Sequence, residues 1–168
     1  MKKYEFTGEV KRIKLIGTEV VLRRIRAVTA FGGVEAGDIG GWIEKEENLS
    51  HDGSAWVHSS AWVYGDARVY GDARVCGNAE VCGDAEVYSA NHIFSIGPVG
   101  SRDGHTTFYR CKNKKIEVRC GCFNGRIEEF IEKVAETHGK NKHASVYRAA
   151  AEIAKLQIEP LSTDKEAE

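Results

Sequence analysis

Ser54-Ala-Trp-Val-His-Ser59, Ser60-Ala-Trp-Val-Tyr-Gly65, Asp66-Ala-Arg-Val-Tyr-Gly71, Asp72-Ala-Arg-Val-Cys-Gly77, Asn78-Ala-Glu-Val-Cys-Gly83 and Asp84-Ala-Glu-Val-Tyr-Ser89 are consecutive variants of one six-residue unit. Alanine recurs at 55, 61, 67, 73, 79 and 85, valine at 57, 63, 69, 75, 81 and 87, and glycine closes the unit at 65, 71, 77 and 83. A period of six fits neither an α-helix nor a simple hairpin. It fits a solenoid in which each unit supplies one short strand and one turn, and each floor buries what a single unit cannot.

If three units complete a coil, residues 18 apart lie one above the other, at about the 4.8 Å spacing of neighbouring strands. Arg68 then falls over Glu86, Trp56 over Arg74 and Tyr70 over Tyr88, giving an expected ion pair, a cation–π contact and an aromatic stack. Upstream, Ile43 and Leu49 keep the six-residue spacing, so Ile39 to Leu49 is expected to be an imperfect coil that begins the stack. The β-rich stretch from Glu19 to Val28 belongs to a cap at its end.

After Ser89 the repeat stops. His92–Ile96 reads as a strand, and Thr106–Cys111 with Lys115–Cys120 as a hairpin whose alternation sets Phe108 and Arg110 opposite to Tyr109 and Cys111. Ile127, Phe130, Ile131 and Val134 have helical spacing, with Asn124 or Gly125 as cap and Gly139 as stop, and a second helix is expected from Ala144 to Leu156, ended by Pro160. The chain is thus read as mainly β. An N-terminal β cap spans 1–36, a hexapeptide β-helix 37–90, an α+β unit of hairpin plus two helices 91–160, and an acidic tail 161–168.

Composition narrows the function classes. Lys+Arg at 24 against Asp+Glu at 25 leaves no global basic footprint, which argues against a sequence-independent nucleic-acid binder. No apolar run reaches a membrane-spanning length and the start is charged, so a cytoplasmic protein with reduced thiols is expected from its five cysteines, without a membrane partner or disulfide framework. Cys111, Cys120 and Cys122 fall short of zinc-ligand spacing, so no metal and no cofactor is expected, and Cys76 and Cys82 read as surface variants of a repeat position.

The charges are nonetheless sorted. Residues 100–126 carry Arg102, Arg110, Lys112, Lys114, Lys115, Arg119 and Arg126 against only Asp103 and Glu117. The Gly-rich loop from Gly97 to Gly104, and Cys120–Gly125 leading into a helix start, suit an anion: glycines admit backbone N–H groups, and the helix N-terminus adds partial positive charge. The expected ligand site is Ser101, Arg102, Thr106, Tyr109, Arg110, Arg119, Phe123, Asn124 and Arg126. The arginines would meet phosphates, Ser101, Thr106 and Asn124 would hydrogen-bond, and Tyr109 or Phe123 would stack on a base. The same glycines also serve as plain turns, and neither loop has a Walker or Rossmann fingerprint.

The six-residue units resemble the hexapeptide repeats of left-handed β-helix proteins, a group best known for acyltransferases and for homotrimers. That resemblance implies a histidine base, for which His51, His58 and His92 are the candidates. Over nearly the whole chain, Arg24–Ala27, Ala36–Ser50, the repeats, Gly100-Ser-Arg102 and Cys120-Gly-Cys-Phe123 look like small hexapeptide-repeat proteins of phages and prophages. The implied role is a non-enzymatic homo-oligomer, trimer favoured, that counters host defence by sequestering a nucleotide immune signal. Two alternatives stand beside it: a hexapeptide-repeat acyltransferase, and a protein-binding inhibitor or structural assembly unit.

Overall fold

The computed structural model describes residues 1–158 of the chain, so Pro160 and the acidic tail lie outside the described residues. The fold is mainly β, and it divides into two compact units, residues 1–90 and 91–168. No described helix is long and apolar enough to cross a membrane.

The first unit opens on an antiparallel hairpin of β1 (Tyr4–Leu15) and β2 (Thr18–Ala27), and β3 (Ile39–Ile43) pairs antiparallel with β2. Six two-residue strands follow, one per repeat: β4 (Trp56–Val57), β5 (Trp62–Val63), β6 (Arg68–Val69), β7 (Arg74–Val75), β8 (Glu80–Val81) and β9 (Glu86–Val87). They pair in parallel as β4 with β7, β5 with β8 and β6 with β9, which sets Trp56 beside Arg74, Trp62 beside Glu80 and Arg68 beside Glu86. Three units therefore complete one coil. β3 pairs in parallel with β5 and Leu49 bridges to Val69, so Ile43 lies beside Val63 and the earliest floor joins with two extra residues in its register.

The repeat chemistry follows from this stacking. The six valines and six alanines of the units are at most 1% exposed and form the core of the coil. The corner glycines have positive φ, between 63° and 68° at 65, 71, 77 and 83. At Gly71 a Cβ would also lie 2.5 Å from the Tyr88 carbonyl oxygen of the next floor. Both the turn conformation and the floor-to-floor approach exclude a side chain there.

Outward columns carry the rest. Tyr70 and Tyr88 pack with ring centroids 5.3 Å apart. Trp56 and Arg74 share the expected register but not the expected contact. Trp56 is 1% exposed, edge-on to Phe31 at 5.4 Å and to Tyr4 at 6.4 Å, while Arg74 donates to the Gly32 carbonyl and faces His58. The N-terminal segment, which a local reading of the repeat ignores, takes the indole for itself. Cation–π contacts form instead on β3 and β5, where the Lys11 ammonium sits 4.5 Å from the Trp42 ring and 5.0 Å from the Trp62 ring. Cys82 is buried and only Cys76 is exposed, so the surface reading holds for one of the two.

Two side chains fasten this unit. Lys3 donates to the Ala55 carbonyl at 2.8 Å and to those of Asp52 and Gly53 at 3.4 Å, and its ammonium lies 4.8 Å over the Phe31 ring. Burial pulls its pKa down to about 8, against the pull of Asp52. Asn48, fully buried, accepts from the Glu44 and Lys45 amides and donates to the Gly65 and Ala67 carbonyls, 2.9 Å away in the latter case.

The second unit is a four-stranded antiparallel meander, β10 (Ile93–Val99), β11 (Gly104–Arg110), β12 (Ile116–Cys120) and β13 (Phe123–Arg126), followed by α1 (Ile127–His138) and α2 (Lys142–Gln157). Directly paired residues share a face. Phe94, Phe108, Val118 and Gly125 form one row, and Phe108 and Val118 join Ile127, Phe130, Val134 and the alanines of α2 in a single apolar cluster. The helices therefore cover that face. Asn141 caps α2 by accepting from the Ala144 amide at 3.0 Å.

Candidate functional site

The sheet separates the residues that the sequence groups together. Thr106, Arg110 and Phe123 belong to the rows on the helix side, whereas Tyr109, Arg119, Asn124 and Arg126 belong to the opposite face. There the Tyr109 hydroxyl donates to Asn124 Oδ1 at 3.2 Å, and Tyr109 is wholly buried. Arg110 is 5% exposed and its Nη1 lies 3.1 Å from His92 Nε2, so this guanidinium faces a histidine. Arg126 lines a separate cleft of about 570 Å³ with Lys114, Lys115 and Lys155.

The expected anion cradle takes another form as well. Gly121 and Cys122 are a two-residue turn, and Asn124 and Gly125 lie within β13, so the N-cap of α1 is Arg126. The positive end of the helix is served by its own acids: Glu128 and Glu129 occupy the first turn, and Glu129 Oε2 accepts from the Arg126 amide at 3.2 Å. In the Gly97–Gly104 stretch the glycines make room for rings. A Cβ on Gly97 would lie 2.4 Å from the His105 ring, and one on Gly100, at φ +80°, 1.8 Å from the Tyr147 hydroxyl.

Three of the expected residues do converge, on a cavity of about 430 Å³ between the β10–β11 turn, the β12–β13 turn and the helices. Ser101 and Arg102 come from the β10–β11 turn and Phe123 from the start of β13. Lys133 and His138 of α1, His105 of β11 and Tyr147 of α2 complete the wall, and among the described residues no carboxylate side chain lines it. Val99, Phe130 and Val134 supply apolar surface. Thr106 contributes from behind, its hydroxyl donating to the Cys120 thiol at 3.1 Å, and Cys120 Sγ lies 3.9 Å from Tyr147 Oη. Burial, then the Cys120 neighbour, pushes the Tyr147 pKa up to about 12, so at neutral pH the phenol keeps its proton and can donate it in a hydrogen bond. His138 lies against Tyr147, ring centroids 5.7 Å apart.

His105, Lys133, His138 and Tyr147 escape a reading of strands and glycines. The signal that finds two of them is helical: Phe130, Lys133, Val134, Thr137 and His138 recur at i, i+3, i+4, i+7 and i+8, so one face of α1 carries both core and cavity wall.

The three candidate bases are engaged. His51 Nδ1 accepts from the Lys3 amide at 3.3 Å under a stacked Tyr4 ring 4.2 Å away. His58 Nε2 lies 3.3 Å from Arg74 Nη1, and burial followed by that arginine holds its pKa below the usual histidine value, against the opposing pull of Asp38. His92 Nε2 faces Arg110.

No family model matches the sequence. A stretch of the chain is 37% identical over 62 residues to the uncharacterized acetyltransferase YdcK of Escherichia coli strain K12. The match takes in 34% of this chain and 19% of that protein, so the chain spans about a fifth of the relative's length and is similar to an acetyltransferase along about a third of its own.

Proposed function

We propose that this chain is a binding protein that holds a small anionic ligand in the cavity of its C-terminal unit, with the repeat coil as scaffold. The observation that carries this reading is the cavity's lining: Arg102 and Lys133, the latter also paired with Glu136 at 3.2 Å, with two histidines, a tyrosine hydroxyl and apolar surface, and no carboxylate among the described lining residues. Pockets of this size with a few convergent polar groups are the usual setting for small ligands. Arginine adds a planar fork for phosphate or carboxylate oxygens. Sequestration of a nucleotide signal is the finer form of this reading. Its phage setting rests on the resemblance of the repeats and flanking motifs, as does assembly into a trimer, which light scattering on the purified protein reads directly.

The second reading is acyl transfer, favoured by the similarity to an acetyltransferase, with His58 as the base once Arg74 releases it. One experiment separates the two. Purified protein is screened by thermal shift against cyclic dinucleotides, cyclic trinucleotides, ADP-ribose derivatives and acetyl-CoA, and the bound compound is recovered and analysed. A ligand at 100 times its dissociation constant stabilises by about 2.7 kcal/mol. A nucleotide recovered unaltered, whose shift is lost in Arg102→Ala, supports binding. Acetyl-CoA turnover lost in His58→Ala supports transfer, and a shift retained in Arg102→Ala overturns the site.

A further inference from the structure

The cavity's walls say more about the ligand than its charge does. Among the described lining residues five side chains are rings, His105, Phe123, Phe130, His138 and Tyr147, and two, Val99 and Val134, are aliphatic. Phe123 and Tyr147 both pack on Phe130, with centroids 5.5 and 5.6 Å away, and His138 lies tilted 34° from Tyr147. A wall that carries five rings favours a planar partner over an acyl chain, because ring-on-ring contact adds to simple burial. The basic side chains Arg102 and Lys133 belong to the same cavity, on the β10–β11 turn and on α1, where Lys133 also reaches Glu136 at 3.2 Å.

We infer that the ligand is a heteroaromatic phosphoester: its ring lies among Phe123, His138 and Tyr147, and its phosphate meets Arg102 and Lys133. This inference rests on the cavity being an anion site and narrows the class of anion. The adenosine phosphate end of coenzyme A and a free nucleotide share that chemistry, so both are tested.

Calorimetric titration of the purified chain with ribose 5-phosphate, AMP and coenzyme A separates the elements. The expected result is AMP binding at least tenfold tighter than ribose 5-phosphate. Phe123→Leu should erase that preference, and Arg102→Ala should weaken both ligands together. If Phe123→Leu does not fold, judged by its melting transition, His138→Ala takes its place, and the same loss of preference is expected. Equal affinity for AMP and ribose 5-phosphate in the native chain overturns the ring while leaving the anion site standing. No binding of any of the three overturns both. Coenzyme A competing with AMP identifies the coenzyme as an admissible source of the ligand, and exclusion of coenzyme A with AMP bound restricts the class to free nucleotides; either outcome supports the inference.

Discussion

Replacing Asn48 tests whether the coil is held by hydrogen bonds at its imperfect floor or by apolar filling alone. Its Oδ1 is the acceptor for the Lys45 amide at 2.9 Å, and its Nδ2 reaches the carbonyls of Gly65 at 3.1 Å and Ala67 at 2.9 Å. The Glu44 amide also reaches Asn48, but it keeps a second acceptor in the Val63 carbonyl at 3.1 Å. Asn48→Leu preserves bulk and deprives one amide and two carbonyls of these partners. A stranded buried group costs about 1–3 kcal/mol. Only the Ala67 bond is fully buried, so the others count at the low end, and the extra apolar surface of leucine returns about 1 kcal/mol. The net loss is about 3 kcal/mol, a large part of a typical stability of about 5–15 kcal/mol. Urea unfolding followed by far-UV circular dichroism measures it. Asn48→Asp at neutral pH should be at least as damaging, since a carboxylate faces two carbonyls, and should recover partly in acid when the protonated group can donate to Ala67. A loss below about 1 kcal/mol in Asn48→Leu would refute the argument, because the carbonyls would then have found other donors.

Three further outcomes are expected. Gly100→Ala should destabilise the chain by about 2 kcal/mol, from a positive-φ position and a displaced Tyr147, with partial recovery in the double variant carrying Tyr147→Phe; thermal melts of the three variants check this. Lys3 titrates near 8 when folded and near its ordinary 10.5 when unfolded, so the unfolded chain binds the extra proton between those values. Stability should therefore rise from pH 8 toward 10, until the Tyr4 phenol, whose pKa burial raises, begins to reverse it, and this rise should be smaller in Lys3→Met, by urea midpoints across the range. Cys76 and Cys122 should react with a maleimide well before the buried Cys82 and Cys111, and AMP should protect Cys122 but not Cys76, as peptide mass mapping will read.

The coil was legible because its code is strictly periodic: Val57 and Val75, or Arg68 and Glu86, need only the number 18 to be placed side by side. What surrounds the coil was not. Trp56 carries the same repeat position as Arg74, yet Phe31 and Tyr4, far from it in sequence, enclose it. In the second unit alternation already sets Tyr109 and Arg110 apart, but a site assembled by charge and aromatic content joined residues from both faces of the sheet. β13 went unseen because Phe123-Asn-Gly-Arg126 is short, half polar and lacks β-branched residues, so its asparagine and glycine read as a helix cap. Ser101, Arg102 and Phe123 share one cavity because they sit in or beside two turns of the meander, which alternation and glycines mark in the sequence. Lys133 and His138 were hidden in a helix whose other residues fill the core.

The three-unit floor also makes the length of this chain come in steps. Inserting 18 residues of repeat would add one storey and return the chain to the side from which it left, with every column of valines, tyrosines and charges extended by one member. Inserting only six would hand each later column to the next of the three stacks, moving the point at which residue 90 leaves the coil by a third of a turn. Growth by duplication can thus lengthen the scaffold freely in threes, whereas a single extra unit re-aims everything that follows it.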